Sequence, residues 1–178
     1  MDEKTLVKEC LKGSSIAQKE LFEKYAPKMM FVCHRYLKET SEAEDALQEA
    51  FIKVFHSLAK YQHEGSFEGW IRRVVVNCCL DILRKRKQHV ADRSLDDVDY
   101  MLSSSELASD KIEADDLLKL IHEMPKGYQA VFNLFAIEGY SHKEISELLG
   151  VSEDTSKSQY FRARAFLKKR LDKLEIGR

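Results

Sequence analysis

The chain has 178 residues, 44% of them apolar and 33% charged, with a formal net charge of −1. That composition suits one ordinary globular domain or two small ones and argues against a disordered or fibrous chain. No apolar run approaches about 18 residues, so no membrane span is expected; the charged start MDEKTLVKECLKG lacks the basic and apolar blocks of a secretory signal, so the expected compartment is the cytoplasm.

Only 2 Pro and 7 Gly punctuate the chain, which favours helices over many short strands. Residues 3–12 read as a short helix stopped by Gly13. Ser15 to Gln18 has capping-box spacing and opens a second helix, whose apolar positions Ile16, Leu21, Phe22 and Tyr25 run into Pro27. Pro27 is expected to begin or kink a further helix through Met30, Val32, Cys33 and Leu37. Ser41 to Glu44 has the same capping-box spacing. It precedes the stripe Ala46, Leu47, Ala50, Phe51, Val54, Phe55 and Leu58, the period of a half-buried helix.

A break around Gly65 carries Tyr61, Phe67 and Trp70. A long helix to about Lys87 follows, with Ile71, Val74, Val75, Cys78 and Ile82 inward and Arg73, Asn77, Arg84 and Lys87 on or near another face. The four cysteines, Cys10, Cys33, Cys78 and Cys79, have no CxxC spacing, so buried, reduced thiols are expected in place of a zinc site or a disulfide. No metal or cofactor is expected.

From about Asp92 to Ser109 the periodicity fails, and the segment reads as a linker. Charge is unevenly spread around it. Residues 84–93 carry five cations and one acid, residues 94–116 carry eight acids and Lys111, and residues 157–178 carry eight cations and two acids. Two basic zones flank an acidic bridge, and nucleic-acid binding depends on such distribution more than on the total. The linker reads either as a solvated tether or as a segment held extended in a groove, since Leu95, Val98, Tyr100, Met101 and Leu102 keep it from being purely polar.

Helical pattern resumes over 110–124, then from Pro125 through Val131, Phe132, Leu134 and Phe135 to a stop at Gly139. Ser141 to Glu144 is a third capping box. A short amphipathic helix then ends at Gly150, Val151 can plug the interhelical angle, and Ser152 caps a further helix with Glu153 and Asp154 at its positive end. This is helix-turn-helix grammar, shared with ordinary αα-corners. On that last helix Tyr160, Ala163, Leu167, Leu171 and Leu174 fall on one side. Ser158, Phe161, Arg162, Ala165 and Lys169 fall on the other, with Thr155 and Gln159 at the edge. Acids are absent from 155 to 171, so the outward face suits base edges and phosphates. Phe161 there suits thymine methyls or a partner protein.

The blocks SEAEDALQEAFIKVFHSLAKY and GSFEGWIRRVVVNCCLDILRKRK, in that order, resemble the first domain of bacterial extracytoplasmic-function (ECF) sigma factors of the sigma-70 family. MPKGYQAVFNLFAIEGYSHKEISELLGVSEDTSKSQYFRARAFL resembles the same family's second domain, and LVKECLKGSSIAQKELFEKYAPKM fits upstream. The resemblance implies an all-α fold: a first helical domain over 1–92, a flexible acidic linker over 93–112 and a helix-turn-helix domain over 113–178. It implies that Asp45, Gln48 and Glu49 dock on the polymerase core, at the β′ clamp helices with the β subunit as a further contact. Phe67, Trp70, Arg73, Asn77 and Arg84 would hold opened −10 DNA, and Lys85, Arg86 and Lys87 would meet phosphates. Thr155, Lys157, Ser158, Gln159, Phe161 and Arg162 would read the −35 element.

Each role has a plainer counterpart: a solvated acidic face at 45–49, and core positions for Phe67 and Trp70. Where the family often has Thr-Val-Lys-Ser-Arg this chain has Thr155-Ser156-Lys157-Ser158-Gln159. Ser156 is expected to weaken packing slightly, and Gln159 to prefer adenine over guanine. The implied partners are core RNA polymerase, promoter DNA and an anti-sigma factor, with no small-molecule substrate and no catalysis. The competing reading is a helix-turn-helix regulator with a helical sensor or adaptor domain.

Overall fold

The computed structural model describes residues 2–62, 64–91 and 114–176, and their side chains over 2–62, 64–86 and 115–172. The expected linker, 93–112, lies outside the described residues. The chain divides into two compact units. The first carries α1 (Glu3–Leu11), α2 (Ser15–Tyr36), α3 (Thr40–Ser57), a 3-10 turn (Leu58–Lys60) and α4 (Phe67–Ala91). The second carries α5 (Ala114–Glu123), α6 (Lys126–Phe132), a π-helical turn (Asn133–Ile137), α7 (His142–Leu149) and α8 (Glu153–Ile176). Among the described residues there is no strand, and no helix is long and apolar enough to cross a membrane.

In the first unit α2, α3 and α4 pack on one another and α1 packs on α2. Small residues make this possible. Ala43, Ala46 and Ala50 on α3 and Ala17 on α2 are fully buried, so the backbones come close where larger side chains would hold them apart. Leu47, Phe51 and Val54 complete the inward stripe of α3, and Ile71, Val75, Cys78 and Cys79 that of α4. The run Val74-Val75-Val76 is helical, as its flanks require, with Val75 and Val76 buried. All four cysteines are buried and free.

Three local expectations are corrected. Pro27 does not begin a helix: it lies inside α2, which runs from Ser15 to Tyr36. The α2 cap is Ser14, not Ser15, with the Ala17 N–H donating to its Oγ at 3.3 Å. At α3 the helix starts at Thr40 behind Glu39, which makes no side-chain cap bond, so Ser41 lies inside the first turn. Buried Ala43 lies in this first turn, and tertiary packing outweighs the lost cap.

In the second unit α8 packs on both α6 and α7. Ile121, Met124 and Ala163 form one core cluster, with Tyr128, Phe132, Phe166 and Leu167 against them, and Leu120, Val131, Leu134 and Ile145 are also buried. Pro125 stands one residue before α6.

Pro27 is exposed and supplies no N–H, so the turn behind it lacks one helical bond. Pro27→Ala should raise stability by about 1–3 kcal/mol, the interior helix penalty less the entropy that proline removes from the unfolded chain. Urea denaturation followed by circular dichroism measures this.

Candidate functional site

On α3, Asp45, Gln48 and Glu49 share one outward face at i, i+3 and i+4. Asp45 and Gln48 are exposed, and Asp45 has no partner among the described residues. Glu49 accepts from Lys53 at 2.9 Å, and Lys53 also lies 3.6 Å from Asp81 on α4. That hydrogen bond holds the Glu49 carboxyl below the usual carboxylate range. The free negative charge of the patch is therefore centred on Asp45. Ile52, 57% exposed, sits on the same face one turn beyond Gln48. The sequence reading passed over it, although its i, i+7 spacing from Asp45 was the available signal.

At the start of α4 the expectations divide. Phe67 is 1% exposed and packs in the core of the first unit, the plainer of the two readings of that position. Its ring lies edge-on to Tyr25 at 5.6 Å and 5.0 Å from Tyr61, and Trp70 stacks on it at 5.7 Å. Trp70 and Tyr61 are half-buried and 5.4 Å apart, forming an outer aromatic layer over Phe67. That layer offers ring faces on which an unpaired base can stack. Tyr61 is thus a candidate that the sequence reading noted only as an aromatic at a break. Arg73 and Asn77, at i+3 and i+7 from Trp70, are exposed and unpartnered among the described residues.

The basic end of α4 does not face one way. Arg84 donates to Asp81 at 2.6 Å and Lys85 is exposed. Arg86 turns back to Glu42 on α3, so its charge already has a protein partner. Lys87 lies on α4, but its side chain is outside the described residues.

In the second unit the caps expected at the helix-turn-helix are present. The Glu144 N–H donates to Ser141 Oγ at 3.2 Å, and the Ser141 N–H donates to Glu144 Oε2 at 2.8 Å. Gly150 ends α7 at φ +65°, a conformation that costs a side-chain-bearing residue about 1 kcal/mol or more. Ser152 then caps α8, accepting from the Thr155 N–H at 3.0 Å.

On α8, Ser158, Phe161, Arg162, Ala165 and Lys169 are exposed, Thr155 and Gln159 are half-buried, and Ala163 is buried. Phe161 is 73% exposed. Arg162 has no partner among the described residues. Lys157 is paired with Glu153 at 2.9 Å, which raises its ammonium and lowers the Glu153 carboxyl through their hydrogen bond. The Gln159 amide rests against Gly127, where an added Cβ would come within 2.9 Å of Nε2. Ser156 is fully buried, but its Oγ shares a 2.9 Å hydrogen bond with His142 Nδ1. The expectation of weakened packing is corrected, because the buried hydroxyl is satisfied. Leu174, expected on the inward stripe, has its side chain outside the described residues.

Two family models match the chain: Sigma-70 region 2 over residues 21–89, and Sigma-70, region 4 over residues 114–167. The ECF RNA polymerase sigma factor SigE of Mycolicibacterium smegmatis is 32% identical over 86% of this chain, which spans 61% of that relative's length. The RNA polymerase sigma factor SigZ of Bacillus subtilis is 30% identical, with 83% of this chain and 82% of that one covered. In fold, the chain is similar to the sigma factor RpoE of Bartonella quintana, solved in complex with the anti-sigma factor NepR. The TM-score is 0.57 at 18% identity, covering 86% of this chain and 96% of that one.

Because Phe67 anchors the aromatic layer, Phe67→Ala should destabilise the first unit by about 3–5 kcal/mol. The single tryptophan lies on the Phe67 ring, so chemical denaturation followed by its fluorescence reads this directly.

Proposed function

The chain belongs to the sigma-70 family, among its ECF sigma factors, and from that membership we propose how its surfaces direct promoter-specific initiation by RNA polymerase. Sigma factors act by binding and positioning, and no catalytic role is assigned to any residue. The protein's action on polymerase and promoter would be in the cytoplasm.

The observation that carries the proposal is the outward face of α8. Arg162 is unpartnered among the described residues, Ser158 and Phe161 stand beside it, and no acid occurs from 155 to 171. A guanidinium held on a capped helix matches the bidentate acceptor pair of a guanine in the major groove. Phe161 suits a thymine methyl. Thr155 and Ser158 supply hydroxyls, and Lys157 can exchange Glu153 for a phosphate, since an exposed ion pair is worth only about 0–1 kcal/mol. Gln159 adds an amide at the edge suited to adenine. Together these residues read the −35 element.

On the first unit, Trp70 takes an unpaired −10 base with Arg73 and Asn77 alongside, while Arg84 and Lys85 attract phosphates. Asp45, Gln48 and Glu49 dock on the clamp helices of the β′ subunit, with the β subunit as a further contact. An anti-sigma factor holding the chain inactive fits the complex named for the Bartonella quintana structure. The acidic composition of residues 93–112, five acids against Arg93 and Lys111, suits a linker lying in a basic channel of the polymerase.

Run-off transcription with core polymerase and the full chain tests this reading. A transcriptional regulator or an adaptor would fail to confer initiation on core enzyme alone. Asp45→Arg should weaken core binding about tenfold in a competition assay. Arg162→Ala should lower specific transcription by roughly 5- to 100-fold while leaving core binding unchanged. Equal loss of both activities in Arg162→Ala would contradict the assignment.

A further inference from the structure

The seam between α7 and α8 contains a polar pair that an apolar seam does not require. Ser156 is fully buried, and its backbone N–H is spent on the Ser152 carbonyl at 3.0 Å. Its hydroxyl crosses to α7 and meets His142 Nδ1 at 2.9 Å. The imidazole lies flat on Phe135, 4.2 Å between centroids at 12°, and Phe135 belongs to the π-helical turn. One turn along α8, Tyr160 lies 4.5 Å from Phe135 and 6.0 Å from His142. The π-helical turn and α7 together therefore grip α8 at two successive turns, and only the Ser156 grip is directional.

Direction matters because apolar contacts resist separation better than rotation. Ser158 and Arg162 lie on the side of α8 opposite Ser156, two and six residues along. Turning the helix by about 20° would move groups at its rim, roughly 5 Å from the axis, by about 2 Å. A hydrogen bond to a base edge is lost over that distance. A buried hydrogen bond that leaves its partner unsatisfied when broken resists such a turn.

We propose that His142, acting through Ser156, is a positioning residue that fixes the rotation of α8 and thereby sets how sharply its outward face discriminates between promoter sequences. This rests on the reading of α8 as the −35-reading helix. His142 itself touches no DNA.

The test uses the full chain reassembled with core polymerase. The readout is the ratio of run-off transcription from a promoter with its selected −35 element to one with that element scrambled, alongside the melting temperature of each variant. His142→Leu should lower the ratio about tenfold, by leaving the Ser156 hydroxyl unpaired. His142→Asn, whose amide reaches the place of Nδ1, should restore most of the ratio without the stack on Phe135. The double variant His142→Leu/Ser156→Val should recover melting temperature but not discrimination. Recovery of both in the double variant, or an unchanged ratio in His142→Leu, would overturn the proposal. If His142→Leu does not fold, Ser156→Ala removes the same bond, and an unchanged ratio there overturns it equally. A wild-type protein indifferent to the −35 sequence would overturn the DNA reading itself, and the proposal with it.

Discussion

The first unit depends on how closely α3 can lie against its neighbours. Ala43, Ala46 and Ala50 are fully buried along one side of that helix. Because those side chains are small, α2 and α4 both reach α3, and Leu47, Phe51 and Val54 fill the remaining space. The opposite side of α3 is thereby fixed as a surface, and Asp45, Gln48, Glu49 and Ile52 stand on it by helical geometry alone. Packing of small residues inside and presentation of a docking face outside are one arrangement seen from two sides. The same holds at α4, where Phe67 is held in the core by Tyr25 and Tyr61 and supports Trp70 at the surface.

Charge follows a comparable division. A net charge of −1 is a poor advertisement for a DNA-binding chain. Many cations are already met within their own unit: Lys53 by Glu49, Arg84 by Asp81, Arg86 by Glu42 and Lys157 by Glu153. Partly exposed pairs of this kind bind weakly and are screened by salt, so a phosphate can replace the carboxylate at small cost. Arg73 and Arg162, unpartnered among the described residues, lie beside the groups suited to reading bases.

Much of this was legible in the sequence where local chemistry decides the outcome. Ser141 with Glu144, Gly150 and Ser152 specify the helix-turn-helix by caps and backbone conformation, and each does what its type and spacing require. The α3 stripe followed from period alone. Legibility failed where contacts distant in sequence decide. Ser15 and Ser41 had cap spacing, but the caps fall one residue earlier at α2, on Ser14, and two residues earlier at α3, on Glu39. Phe67 had the type of a base-binding aromatic and equally of a core residue, and its ring contact with Tyr25, 42 residues earlier, belongs to the core position. Ser156 read as a defect because its partner, His142, is 14 residues away on another helix. Pro27 misled in another way: an exposed proline costs a helix one bond, and α2 tolerates this within a well-packed unit.

The π-helical turn has an evolutionary corollary. The Glu138 N–H donates to the Asn133 carbonyl five residues back, so this turn holds one residue more than an α-helical turn would. Wound as a regular α-helix, the same residues would carry everything beyond the turn round by about 100° relative to α6. The wider turn absorbs that rotation, so one extra residue is accommodated here without changing which way the residues after it face. Helix that can take in or give up a residue at constant facing is a place where length, as well as composition, can change.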